Sequence, residues 1–153
     1  MIRIENVRLY TGRAYHQDGC ILTKGRDVLY AGDAKGAPPA EGARTVDGRG
    51  GLLMPGFYNA HCHAAMTLER GVGSDLNLMD WLHRIFPIED RLTPEHVYNG
   101  TRLAILEMLR RGCVAFADMY FYMDEVARAA VEMGIRVNLC RGCVDREGLD
   151  STR

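Results

Sequence analysis

His61 and His63 are the two residues of this chain whose type and spacing speak most directly of chemistry. Side chains alternate faces along a strand, so positions i and i+2 project together. An H-x-H on a strand end therefore carries two imidazoles to one side, and neutral imidazole is the commonest metal ligand. Cys62, between them, points to the opposite face. The plainer alternative is two ordinary polar residues closing a strand. A second spacing that could do chemistry is the C-x-x-C of Cys140-Arg141-Gly142-Cys143, which suits a redox pair or half a zinc site. No second C-x-x-C accompanies it, and Cys140 ends an apolar strand pattern, so buried reduced thiols are the preferred reading.

These residues need elements to position them. Gly51 to Tyr58 is an apolar run that suits a strand buried on both faces, as in a parallel sheet. Pro55 cannot donate to a central ladder. A lead-in segment before Pro55 and a buried strand from about Phe57 to His61 are therefore predicted. The histidines then stand at the carboxyl end, where parallel β/α barrels build their active sites.

Upstream, residues 1–54 read as short strands. Ile2, Ile4, Val7 and Leu9 set a period near two, the mark of a half-buried strand. Cys20–Thr23 and Asp27–Gly32 follow as a hairpin across Lys24-Gly25-Arg26. Gly36–Gly42 is a loop, and Arg44–Asp47 a last short strand.

Downstream, Asp80–Phe86 is predicted to make one or two helical turns. Thr93-Pro94-Glu95 is a helix start, with a capping threonine, proline at the first position and an acid in the first turn. Val97, Thr101, Ala104 and Met108 form the buried stripe, and Gly112 ends the helix. Cys113–Asp118 is a strand, Asp124–Met133 a helix stopped by Gly134, and Ile135–Cys140 a strand. Strands alternating with helices imply a parallel sheet.

The blocks Leu53-Met54-Pro55-Gly56-Phe57-Tyr58-Asn59-Ala60-His61-Cys62-His63, Pro87-Ile88-Glu89-Asp90-Arg91-Leu92 and Asp118-Met119-Tyr120-Phe121, with Met66-Thr67-Leu68, Arg70-Gly71 and Arg141-Gly142, resemble the amidohydrolase superfamily. Within it they are most similar to the 5-methylthioadenosine/S-adenosylhomocysteine deaminases and their chlorohydrolase-like relatives. The resemblance spans essentially the whole chain. It implies an α/β fold: the amino-terminal part of a (β/α)8 TIM barrel at 55–153, preceded by half of a small composite β-sandwich at 1–54.

The resemblance also implies roles. His61 and His63 would be ligands of one divalent metal, zinc first and Fe2+ or Mn2+ as alternatives. Glu89 would accept hydroxyls of a substrate ribose; without the resemblance it is a solvated carboxylate beside Asp90 and Arg91. Arg141 would meet the outer part of the substrate, where a guanidinium fork matches a carboxylate; its alternative is a surface ion pair. Arg153 falls where the family has a second substrate arginine. The remaining ligands and the proton-transfer residue are expected beyond residue 153. The reaction implied is hydrolytic deamination of an adenosine-type thioether to its inosyl analogue and ammonia. Guanine or cytosine deamination, triazine dechlorination and a non-catalytic scaffold are the alternatives. Asp118 is expected to be a structural hydrogen-bonding residue. His16, His83 and His96 show no ligand spacing.

The chain has 153 residues, 47% hydrophobic and 25% charged, a globular composition. A complete β/α barrel takes about 250 residues, so the chain is read as the amino-terminal part of a longer enzyme, with about three of the eight β/α units. Net charge is −1 and no block of like charge occurs, which argues against nucleic-acid or membrane-surface partners; a small-molecule substrate is what the resemblance implies. Homo-oligomerisation is compatible with the resemblance. Gly50–Leu68 contains no Asp, Glu, Lys or Arg across 19 residues, yet Pro55, Asn59 and both histidines argue against a membrane span. The charged amino terminus does not suit a signal peptide, and a cytoplasmic location is expected.

Overall fold

The computed structural model describes residues 1–142, which form two compact units, one from Met1 to Pro55 and one from Gly56 onward. Cys143 and Arg153, both singled out in the sequence, lie outside the described residues.

The first unit is one four-stranded sheet of β1 (Ile2–Tyr10), β2 (Tyr15–Lys24), β3 (Asp27–Asp33) and β4 (Arg44–Leu53), in the order β3-β2-β1-β4. β1 pairs antiparallel with β2 and parallel with β4. Its alternation buries Val7 and Leu9, which share a core with Cys20 and Leu22. Gly25 opens the tight β2–β3 turn with φ +59°, a conformation glycine adopts without strain. At Gly19 the strands approach so closely that a Cβ would lie 2.3 Å from the Leu9 Cβ.

β4 runs further than its predicted end at Asp47. The apolar run Gly51–Tyr58 is thereby divided: Gly51 to Leu53 complete the ladder with β1, and the chain breaks at Pro55 before entering the other sheet. Proline's missing N–H accounts for the break.

The second unit holds a parallel sheet of β5 (Phe57–Cys62), β6 (Cys113–Tyr120) and β7 (Arg136–Arg141), in that order. A 3-10 segment (Ala64–Glu69), α1 (Leu78–Glu89) and α2 (Pro94–Arg110) join β5 to β6, and α3 (Met123–Met133) joins β6 to β7. Gly56 lets β5 start against β6, because a Cβ there would fall 2.5 Å from Val114 Cγ1. Ala64, Val97, Ile105, Phe116, Val126 and Ala130 form the core between sheet and helices.

The helix start at Thr93 is a reciprocal cap. Thr93 Oγ1 accepts from the His96 N–H at 3.3 Å, and His96 Nδ1 accepts from the Thr93 N–H at 3.3 Å. Gly134 ends α3 with φ +73°.

Three more expectations need correction. Cys140 is an exposed thiol near the end of β7, not a buried one. α1 is 12 residues long and passes through Pro87. Asn77 caps it, accepting from the Asp80 N–H at 3.1 Å, and its last turn closes with the Asp90 N–H on the Phe86 carbonyl at 2.9 Å. β5 is not buried on both faces: Phe57 is 56% and Tyr58 69% exposed. It is an edge strand of the described sheet, with β6 on one side only.

Candidate active site

The carboxyl ends of β5 and β6 gather His61, His63, Asp118 and Tyr120. β5 stops at Cys62, and His63 leaves the strand direction with φ −128° and ψ 75°. The His61 and His63 rings nonetheless meet, their centroids 5.0 Å apart and their planes at 78°. His63 Nδ1 lies 2.6 Å from the Met119 carbonyl oxygen. A carbonyl only accepts, so the proton sits on Nδ1, and the Nε2 lone pair points elsewhere. Fixing an imidazole by its far nitrogen is how proteins orient a metal-binding histidine.

His61 lines an open cleft of about 170 Å³ with Met119, Asn138 and Cys140. Cys62 also borders this cleft and packs against the helix-side core, where burial first, then the charge of Asp118, pushes its thiol up to about 11. Among the described residues no group of three His, Cys, Asp or Glu side chains converges as a metal cage. The two imidazoles fit a divalent ion as a partial donor set: they are adjacent, and one is held in the tautomer that leaves Nε2 available.

Asp118 holds the turn that follows His63. It is 2% exposed, and its Oδ1 and Oδ2 accept from the Ala64 N–H at 3.2 and 3.3 Å. Burial raises its carboxyl above the usual range, while the Ala64 and Met119 N–H groups work against that. The expected structural role matches this geometry, although β6 continues two residues further to Tyr120.

Tyr120 is the residue that sequence reasoning passed over. Its ring centroid is 6.1 Å from that of His63, and its hydroxyl donates to Glu89 Oε1 at 2.8 Å. Glu89 is the last residue of α1, so the helix that crosses Pro87 carries this carboxylate to the strand ends. Glu69 also faces the Tyr120 hydroxyl, at 3.3 Å. A period-two reading of β6 puts Phe116, Asp118 and Tyr120 on one face and could have found the tyrosine.

Arg141 ends β7 in register with Tyr120, also at the carboxyl edge. Its guanidinium lies 3.6 Å from Asp124, whose side chain is almost fully exposed. Such a pair is weak. The structure thus sets His61 against His63, sets His63 and Glu89 beside Tyr120, sets Arg141 on the neighbouring strand end, and does not describe Arg153.

The family model described as "Amidohydrolase family" matches residues 52–153. The chain is 47% identical over 136 residues to a 5-methylthioadenosine/S-adenosylhomocysteine deaminase of Symbiobacterium thermophilum, which covers 88% of this chain and 31% of that protein. It is 52% identical over 112 residues to a 5'-deoxyadenosine deaminase of Methanosarcina barkeri, covering 72% of this chain and 26% of that protein. The crystal structure of an adenosine deaminase from Xanthomonas campestris with bound zinc superposes with a TM-score of 0.79 at 35% identity, covering 89% of this chain and 32% of that one. The chain spans about a third of the length of the curated relatives it matches. It belongs to the amidohydrolase family.

Proposed function

We propose that this chain is the amino-terminal part of a metal-dependent aminohydrolase that deaminates adenosine-type nucleosides, 5-methylthioadenosine and S-adenosylhomocysteine foremost. The observation that carries the reading is the pairing of two adjacent imidazoles with a carboxylate held beside them: His61 and His63 at 5.0 Å, and Glu89 joined to the same corner through Tyr120. The deaminase names of relatives at 47% and 52% identity support the substrate class. The zinc in the Xanthomonas campestris structure supports a divalent metal.

His61 and His63 would hold part of the ion's coordination. A divalent ion there supplies Lewis-acid activation of water near neutral pH. The protein's own work is positioning. The Met119 carbonyl keeps the His63 ring in place and its proton on Nδ1. Asp118 anchors the backbone that follows. Glu89 accepts the two ribose hydroxyls, a task suited to two carboxylate oxygens. Arg141, lightly paired at the outer edge, meets the carboxylate tail of S-adenosylhomocysteine, and Arg153 is a second such contact. A small-molecule substrate and a cytoplasmic setting complete the reading.

The test is ammonia release by the full-length protein carrying this segment, loaded with zinc. 5-Methylthioadenosine, S-adenosylhomocysteine and 5'-deoxyadenosine are compared with guanine, cytosine and a chlorotriazine. The reading expects the nucleosides to be strongly preferred and Glu89→Gln to impair them far more than any free base. Preference for a base or triazine, or equal losses for both classes, would overturn it.

A further inference from the structure

Glu69 touches the site only through the Tyr120 hydroxyl, yet it is buried beside it. It closes the 3-10 segment at 6% exposure. The segment is pinned to α2: Thr67 Oγ1 donates to the Gly100 carbonyl at 2.7 Å, and a Cβ at Gly100 would fall 2.5 Å from the Ala65 oxygen. Glu69 Oε1 sits 3.3 Å from the Tyr120 hydroxyl, and its Oε2 is buried with no hydrogen-bond partner. The same hydroxyl is 2.8 Å from Glu89 Oε1.

A phenol has one proton to donate. Given along the shorter contact to Glu89, it leaves Glu69 facing an oxygen that can only accept. An ionised Glu69 would then set lone pair against lone pair and bury an unpaired charged oxygen, which is expensive. A protonated Glu69 instead donates to the phenol oxygen. We propose that Glu69 is a positioning residue, held as a neutral carboxylic acid that donates to Tyr120, so that the relay Glu69 to Tyr120 to Glu89 fixes the Glu89 carboxylate for substrate hydroxyls. This rests on the reading of Glu89 as a ribose contact.

The surroundings agree. Burial first, then the charge of Glu89, raises the Glu69 carboxyl, and the contact with Tyr120 opposes them. Tyr120 keeps its own proton, through burial and then the charge of Glu89. The titratable groups facing Glu69 are Tyr120 from β6 and Glu89 from α1. From α2, the acid that reaches the segment is Glu107, which is engaged by Arg70. Among the described residues no cation pairs with Glu69.

The experiment combines kinetics with infrared spectroscopy on the full-length zinc-loaded enzyme. Glu69→Leu should raise KM for 5-methylthioadenosine by about 3- to 10-fold, the worth of one hydrogen bond, with kcat little changed. It should leave a 2',3'-dideoxy substrate unaffected and add nothing in a Glu89→Gln background. Glu69→Gln, whose amide donates to the same phenol oxygen, should restore KM to within about twofold. A protonated carboxyl C=O stretch should be present at neutral pH and vanish in Glu69→Gln. Losses shared by the dideoxy substrate, additivity with Glu89→Gln, or a wild-type spectrum without that band would overturn the proposal. If Glu69→Leu does not fold, Glu69→Gln and the infrared band decide. A wild type that deaminates no nucleoside would defeat the functional reading instead, and the band would still report on Glu69.

Discussion

In the first unit the buried side chains are Val7, Leu9, Cys20 and Leu22, all of them apolar or thiol. In the second unit Glu69, Thr101 and Asp118 are buried among alanines, valines and aromatic rings. Apolar burial stabilises without conditions beyond shape. A buried carboxyl is tolerated only where hydrogen bonds meet it, and otherwise it destabilises. The first core is therefore built to hold a sheet together. The second gives up stability at its carboxyl edge in order to hold His63, Tyr120 and Glu89 in fixed relation. Polar groups placed where packing alone would prefer leucine are a physical mark of a site.

The largest effect should come from breaking the polar side of this contrast at the histidines. In the full-length protein, His63→Asn or His61→Asn should leave zinc well below one equivalent after dialysis. The fall in kcat/KM should exceed the roughly 10–100-fold typical of losing a mere outer partner of a ligand. Elemental analysis reads the metal directly. Full zinc occupancy in both variants would remove the reason for treating the carboxyl edge as functional.

The next comparison sets the two cores against each other. Leu9 is 1% exposed, and Leu9→Ala should destabilise the first unit by about 2–5 kcal/mol through lost burial and a residual cavity. Asp118→Ala strands the Ala64 N–H and should destabilise the second unit by about 1–3 kcal/mol. Hydrogen exchange should localise the first effect to the amides of β1 and β2 and the second to the turn after His63. Only Asp118→Ala should also weaken zinc binding. If Leu9→Ala weakened it equally, the division of labour between the units would fail.

Much of this arrangement was legible in local chemistry. Thr93-Pro94 announced α2, Gly134 ended α3, and His61 with His63 marked the strand end, because caps and periodicity are short-range signals. What escaped was decided at longer range. The helix was expected only over Asp80–Phe86, but the Asn77 cap and the final turn carry it through Pro87, and that length brings Glu89 to Tyr120. The run Gly51–Tyr58 looked like one buried strand, yet pairing with β1 claims its first part and an edge position exposes the rest. Glu69 is the first Asp, Glu, Lys or Arg after the stretch Gly50–Leu68, which holds none of them. That position was a signal, but its meaning depends on a tyrosine 51 residues away.

The smallest effect lies at the surface, where charge should matter least. Arg70 donates to both carboxylate oxygens of Glu107, at 3.1 and 2.7 Å, with both side chains exposed. The Arg70 hydrogen bonds hold the Glu107 carboxyl below its ordinary value. A carboxyl depressed in the folded state stabilises above its unfolded pKa, and that contribution disappears as pH falls through the folded pKa. Glu107→Gln should therefore lower the urea midpoint slightly at neutral pH, and the difference from wild type should vanish in acid. High salt should shrink it as well, since exposed pairs are screened. A difference that persisted in acid would mean that Glu107 acts through packing, and the contrast between costly buried carboxyls and cheap exposed ones would lose its simplest control.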